Sequence, residues 1–410
     1  MTRRLKLAAP VLLSFVAAAA EAQAIRAFTG ATLIDGTGRA PIPNATIVVR
    51  GGKVVAAGAS SSVTVPTGAE RVSLAGKTVI PGLINAHGHV NTPADLRTYA
   101  AYGVTTVYSL GGEPESVFAA RAQQNTPTLD RARVFVAGPV LTPNTPDEAR
   151  TQVAGVAAQK VDMVKIRVDD NLGTTQKMAP EVYRAVIDEA HKRGLRVATH
   201  LFYLADAKSL MEAGTDLVAH SVRDAEVDDA LIASLERRNV CVSPTLMREV
   251  STFVYESKPA FLSDSLFLAH ANKEWLATVQ QPARMEAMRT SRSAQRYKAA
   301  LEVAKRNLKK LSDAGVTIAM GTDTGPMGRF QGYFELMELE LMVQAGLTPR
   351  QAILSATRDA ARCMKIDAEL GTLEPGKWAD FVVLDANPES RIANVRRIAS
   401  VWIAGNRIRR

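Results

Sequence analysis

The sequence predicts an α/β protein: a (β/α)₈, TIM-like barrel with a small β-sandwich built from both chain ends. Three observations predict it. Eight short apolar, β-branched runs alternate with stretches of helical periodicity through the middle of the chain. A hairpin texture near the N-terminus returns only at the C-terminus. At 410 residues the chain exceeds what one core usually serves, so a large domain and a smaller one are expected.

Residues 1–24 carry Arg3, Arg4 and Lys6, an apolar run from Leu7 to Ala20, and small-residue sites ending at Ala22 or Ala24. This is the pattern of a cleaved secretory signal peptide. The run is shorter than the ~20 apolar residues of a membrane span, so a periplasmic or secreted protein without stable membrane insertion is expected. Losing this leader removes three cations and one anion, and the formal charge falls from +9 to +7. The basic residues are scattered and concentrate only in Arg396, Arg397, Arg407, Arg409 and Arg410. That describes a solvated surface and argues against a nucleic-acid partner. Cys241 and Cys363 lie far apart, one in a predicted buried strand and one in a predicted helix, and read as separate small core residues, not a disulfide.

Residues 25–80 supply the first part of the sandwich. Within them "ATIVVRGGKVVAAG" (45–58) predicts a hairpin turning on Gly-Gly. Residues 81–365 supply the barrel. Its strands are expected at 78–89, 105–110, 133–138, 163–168, 195–201, 217–220, 240–245 and 316–323, with helices such as 180–193, 226–238 and 349–362 between or after them. The long interval before the last run predicts a helical insertion, 246–300, placed to act as a lid or pocket wall. Residues 366–410, with "ADFVVLDANP" and "VWIAGNRI", complete the sandwich.

The strand ends carry the chemistry. In "INAHGHV" (84–90), side chains two apart share a strand face, so His87 and His89 point together, with Asn85 beneath them. "RVATH" ends in His200, "LVAH" in His220 and "MGTD" in Asp323, so four of the six histidines stand at strand ends. Imidazoles and a carboxylate converging there suit a metal ion. Of the other two, His191 sits near a helix C-terminus in a solvated role and His270 lies in the insertion. Lys165 in "MVKIRV" faces inward with Met163 and Arg167. Desolvation favours its neutral amine, which can add carbon dioxide to become a carbamate that bridges two divalent ions. The alternative is a lysine paired with Asp323 beside a single metal.

These residues resemble the metal-dependent amidohydrolase superfamily, in its branch similar to imidazolonepropionase and to barrel dipeptidases of the Xaa-Pro dipeptidase kind. "VIPGLINAHGH", "VKI", "ATH", "AHS", "MGTDT" and "GTLEPGKWADFVVLD" carry the resemblance across residues 79–385. It implies that His87 and His89 bind the more buried of two divalent ions, zinc by preference, and His200 and His220 the more exposed. Carbamylated Lys165 would bridge them and Asp323 would ligate the first. Asn85 stands where many relatives carry an acid, and Phe202 where several peptide-cleaving relatives carry a hydroxyl, with Tyr203 adjacent.

The expected reaction is hydrolysis of an amide bond in a small molecule, a dipeptide or N-acyl amino acid, by a metal-bridging hydroxide, with Asp323 shuttling the proton. A lactonase or phosphotriesterase-type hydrolase using the same centre is the alternative. A substrate carboxylate would be held by Arg223, with Tyr203 second and Arg248 and Tyr255 behind them. The other reading of Arg223 is a rim ion pair with Asp224 or Glu226. Oligomeric state is left open, a homo-oligomer included.

Overall fold

The computed structural model describes residues 25–410, and the predicted leader, residues 1–24, lies outside the described residues. The N-terminal part forms β1 (Arg26–Leu33), β2 (Ile42–Arg50), β3 (Lys53–Ala59), β4 (Glu70–Ser73) and β5 (Thr78–Pro81). β2 and β3 are the predicted hairpin. Arg50 pairs with Lys53 across Gly51 and Gly52, whose φ of +57° and +76° give the tight turn that a left-handed pair allows.

Seven barrel strands follow: β6 (Leu83–Gly88), β7 (Val104–Ser109), β8 (Arg133–Val136), β9 (Val164–Arg167), β10 (Val197–His200), β11 (Leu217–Ala219) and β12 (Cys241–Ser243). The chain then returns to the first sheet as β13 (Phe381–Leu384), β14 (Ile398–Ile403) and β15 (Asn406–Arg407). That sheet runs β15-β14-β13-β5-β1-β2-β3, with β4 beside β1. Two strands separate β14 from β1 in this order, yet the rings of Trp402 and Phe28 meet with centroids 4.7 Å apart. The sheet therefore curls over its own apolar face, and this is the sandwich the two chain ends were expected to build.

The barrel strands fall into two parallel groups, β6-β7-β8 and β9 to β12. One join is made by Asp162 N–H to Val136 O and Leu141 N–H to Lys165 O, both 2.8 Å. The other uses the eighth predicted run, 316–323, which is an extended segment with a single bridge, Val242 to Ile318, and not a ladder strand. Ala319 N–H reaches Val242 O, and Ala86 N–H reaches Met320 O. A regular ladder is interrupted where the N–H groups of Thr322 and Asp323 both turn to His87 O, at 3.0 and 2.6 Å. A Cβ on Gly321 would stand 2.2 Å from Ser243 Oγ and 2.8 Å from His87 Cβ.

The predicted helix 349–362 is two helices, Pro349–Ser355 and Arg358–Met364. The break frees the carbonyls of Ser355 and Ala356, which accept the N–H groups of Met320 and Ile84. The insertion 246–300 is helical, from Leu246–Val250 through Ser265–His270, Lys273–Val279 and Pro282–Thr290 into the long helix Arg292–Asp313. Among the described residues no helix is long and apolar enough to cross a membrane.

The reading of the cysteines is corrected. Cys241 at the start of β12 and Cys363 in the helix Arg358–Met364 form a disulfide, with Cα atoms 5.9 Å apart. A separation of 122 residues hid a contact that the barrel creates by laying that helix against β12. Barrel and terminal sheet are tied by a buried ion pair, Arg133 Nε to Asp380 Oδ2 at 3.1 Å.

Candidate metal centre

Every strand-end residue singled out in the sequence lies at the same mouth of the barrel. His87 and His220 are buried, and His89 and His200 are half-buried. Their rings form a chain, with centroid separations of 5.9 Å for His89–His87, 4.6 Å for His87–His220 and 4.2 Å for His220–His200. Asp323 Oδ1 is 2.8 Å from His89 Nε2 and 3.6 Å from His87 Nε2. Lys165 Nζ lies 3.2 Å from His87 Nε2. The alternative pairing of Lys165 with Asp323 is not formed among the described ion pairs.

The backbone is bent to make this arrangement. His220 (φ +97°), Asp323 (φ +57°) and Thr245 (φ +50°) all occupy the left-handed region, which costs a non-glycine residue roughly 1–3 kcal/mol. Thr245 Oγ1 is 2.7 Å from His220 Nδ1. Strain is thus gathered on two candidate ligands and the partner of one of them, the kind of clustering that functional sites show.

The donors suit a cation. His89 Nδ1 lies 3.0 Å from Gly111 O, and a carbonyl can only accept, so Nδ1 carries a proton, while Nε2 faces Asp323 Oδ1 at 2.8 Å. A nitrogen and a carboxylate oxygen 2.8 Å apart hold either a proton or a metal ion between them. His87, His89 and Asp323 can each bring one ligand atom within 4.8 Å of the others, close enough to share one ion. Nε2 of His220 is buried without a partner.

Electrostatics point the same way. Burial drives the His87 and His220 imidazoles well below their usual range and His200 to about 4, so these rings are neutral and able to ligate. Burial lowers the Lys165 amine to about 7, against the pull of Asp323 and Asp169. Burial would raise Asp323, but the Arg329 guanidinium at its Oδ2 outweighs it and holds the carboxyl well below the usual range.

Several participants were not found in the sequence. Asp169 Oδ2 accepts from His200 Nε2 at 3.0 Å, while Oδ1 accepts from Arg167 Nε at 3.2 Å. It stands one residue past the run taken as the strand, in phase with Lys165 and Arg167, so extending the alternation by one step would have reached it. Arg329, from the loop after Asp323, pairs with Asp323 Oδ2 and donates to Ser251 Oγ. Below His87, Asn85 Nδ2 donates to Glu335 Oε1 at 2.6 Å and to Thr322 Oγ1 at 2.9 Å, and Oδ1 accepts His87 N–H. Position 85 is thus an amide resting on a buried acid, Glu335, from the helix Tyr333–Gln344.

The two substrate candidates are placed differently. Tyr203 donates its hydroxyl to Asp170 at 2.8 Å, with Lys177 Nζ 3.8 Å from its ring centre, and burial together with Asp170 pushes the phenol up to about 12. Arg223 is fully buried, and its ion-pair partner is Glu249 at 2.9 Å. Neither predicted rim partner takes it, because Asp224 caps Leu204 N–H and Glu226 pairs with Arg306. Glu249 belongs to the insertion and could not be placed from chain spacing. Tyr255 donates to Gly328 O, and His270 packs edge-on against Tyr102.

The family model described as the amidohydrolase family matches residues 78–408. The chain is 23% identical over 401 residues to an imidazolonepropionase of Streptomyces griseus subsp. griseus, covering 92% of this chain and 95% of the relative. It is 27% identical over 282 residues to an ochratoxinase of Aspergillus niger, covering 66% and 51%. Among solved structures, a protein from Bifidobacterium longum assigned as a prolidase superposes with a TM-score of 0.77 at 28% identity, covering 94% of this chain and 95% of that one.

Proposed function

Because the chain belongs to the amidohydrolase family, whose members here are hydrolases of carbon–nitrogen bonds, we propose that it hydrolyses an amide bond in a dipeptide or N-acyl amino acid at a pair of divalent ions. The observation that carries this reading is the convergence of His87, His89, Asp323 and Lys165 on one point, with His200 and His220 beside it. His87, His89 and Asp323 would hold the first ion and His200 and His220 the second, with the carbamate of Lys165 between them. The donor set of neutral imidazoles and oxygen anions suits zinc. When bound, the ions would acidify water and polarise a carbonyl as Lewis acids.

The chain's own residues supply the rest. Lys165, with its amine near 7, is a nucleophile toward carbon dioxide at neutral pH. Asp323 takes a proton at Oδ1 and returns it to the leaving nitrogen, while Arg329 fixes Oδ2. The Asp169 contact orients the His200 ring. Export, to the periplasm or beyond, belongs to the same reading, and the Cys241–Cys363 disulfide supports it because such bonds persist in oxidising compartments.

The test is a screen of zinc-loaded protein against dipeptides, N-acyl amino acids, lactones and phosphotriesters, with Asp323→Asn as the blank. Turnover of an amide that the blank lacks is the expected outcome. Ester or phosphotriester turnover with no amide cleavage would transfer the assignment to the other hydrolase class, and a blank as fast as the parent would remove the proton shuttle.

A further inference from the structure

A cavity of about 400 Å³ lies between the insertion and the barrel, within the range of about 300–1,000 Å³ typical of small-molecule sites. Tyr102 borders it just past the helix Pro93–Ala101, Phe267 and Trp275 come from the insertion, and Phe330 comes from the loop after Asp323. Tyr102, Phe267 and Phe330 are buried. The rings brace one another. Phe267 meets Phe330 edge-on with centroids 4.8 Å apart, Tyr102 meets His270 at 5.4 Å, and Trp275 leans on Phe330 at 6.0 Å. An aromatic wall is therefore in place before any ligand arrives.

None of the six candidate ligands lines this cavity, and the wall between it and the metal centre is closed. Gln331 Nε2 and the Tyr99 hydroxyl donate to His89 O at 3.0 and 3.1 Å, and Asn91 Nδ2 donates to Gly325 O at 3.0 Å. A Cβ on Gly325 would stand 2.6 Å from His89 Cβ, so the two loops touch with no gap. The polar groups on the cavity side define what it can take. Gln331 lines it and is 8% exposed. His89 O can only accept, so the Gln331 atom facing it is the amide nitrogen, and Oε1 is left with no partner among the described residues. Asp95 is the one carboxylate in the lining, and it is spent on the N–H groups of Asn91 and Thr92. Burial lowers His270 from its usual value, so that ring is neutral. The cavity thus offers aromatic faces, one fixed acceptor and no free charge.

We propose that this cavity is a second ligand site, separate from the metal centre, which takes a neutral aromatic molecule carrying a ring N–H or O–H, such as an indole or a phenol. Its ring packs against Tyr102, Phe330 and Trp275, and its donor bonds Gln331 Oε1. A molecule without a donor leaves that oxygen buried and unmet, and an ionised one enters without a counter-ion; both are costly. The occupant touches Gln331, which holds the His89 carbonyl, and Phe330, the neighbour of the Arg329 that pairs with Asp323. It therefore bears on both loops that present His89 and Asp323, from the side away from the substrate. The site does not depend on the reaction proposed above.

The experiment is calorimetric titration with indole and with p-cresol, each beside the analogue that lacks its donor, benzofuran and toluene, in zinc-loaded and in chelator-treated protein. At least one donor is expected to bind both forms of the protein, about 3- to 10-fold more tightly than its analogue. Gln331→Met keeps the length of the side chain and should remove that difference; if the variant fails to fold, the comparison within the parent carries the same point. Thr98→Phe fills the cavity from the helix Pro93–Ala101 and should abolish binding of all four compounds. Ala94→Trp, from the same helix, gives that readout if circular dichroism shows Thr98→Phe to be unfolded. No binding by either donor, binding that requires zinc, or binding that survives a filled cavity overturns the proposal. Equal affinity of donor and analogue, or a difference that persists in Gln331→Met, overturns it as well. None of the four compounds has a scissile amide, so each outcome is read whether or not the protein cleaves one.

Discussion

Replacing Lys165 by methionine should stabilise the metal-free protein while abolishing its function. Lys165 is 3% exposed, and burial brings its amine from 10.5 to about 7. A difference of that size corresponds to ~5 kcal/mol between the protonation states. The sign follows from proton counts. Unfolded, the amine keeps its proton up to about 10.5; folded, uncarbamylated and without metal, it releases it near 7. Below pH 7 both states are protonated and the fold carries the whole cost of a buried cation. Between 7 and 10.5 the unfolded state binds more protons, so stability rises with pH, and above 10.5 the cost is gone. Lys165→Met removes a charge and keeps most of the volume. At pH 6 it should gain roughly 2–5 kcal/mol, the lower figure allowing for relaxation around the cation, and at pH 10.5 the gain should vanish. Urea unfolding of chelator-treated protein in carbon-dioxide-free buffer at both pH values measures this. A variant less stable than the parent at pH 6, or a gain that does not change with pH, would refute the reasoning. A residue that weakens the fold at neutral pH and is nevertheless present is what a functional site would require.

Other perturbations have equally definite outcomes. Opening the Cys241–Cys363 bond with Cys→Ala at both positions frees a loop of 122 residues and should cost up to ~5 kcal/mol by loop entropy, read as a lower melting temperature that added reductant no longer changes. Asn85→Asp would set a second carboxylate against Glu335, now 2.6 Å from the amide, and should destabilise the protein by roughly 1–3 kcal/mol at pH 7, the loss shrinking as the pH falls and the acids protonate. Arg133→Met strands Asp380 in the interface between barrel and terminal sheet and should cost about 3–5 kcal/mol in denaturant unfolding, with partial recovery when Asp380→Asn is added.

Periodicity made most of the barrel legible. Seven of the eight predicted runs are strands because each pairs with parallel neighbours and needs apolar residues on both faces. The eighth, 316–323, has the same texture but makes a single bridge, since the N–H groups of Thr322 and Asp323 share His87 O where a ladder would pair residue by residue, and texture does not report such an irregularity. His87, His89, His200, His220, Lys165 and Asp323 were legible because strand ends of one barrel share a mouth whatever the chain distance between them. The contacts that tune them were not. Arg329 on Asp323 and Glu249 on Arg223 come from loops and from the insertion, where no period fixes direction. The disulfide was hidden for the same reason, since only the closed barrel brings β12 against a helix 122 residues later.

The central claim is that six side chains from five segments of the barrel hold two divalent ions. Counting zinc per chain by plasma mass spectrometry, in protein loaded with zinc and bicarbonate and then dialysed, tests it most directly. Two ions per chain are predicted for the parent and no more than one for Lys165→Met. One ion or none in the parent, or two in the variant, would contradict it.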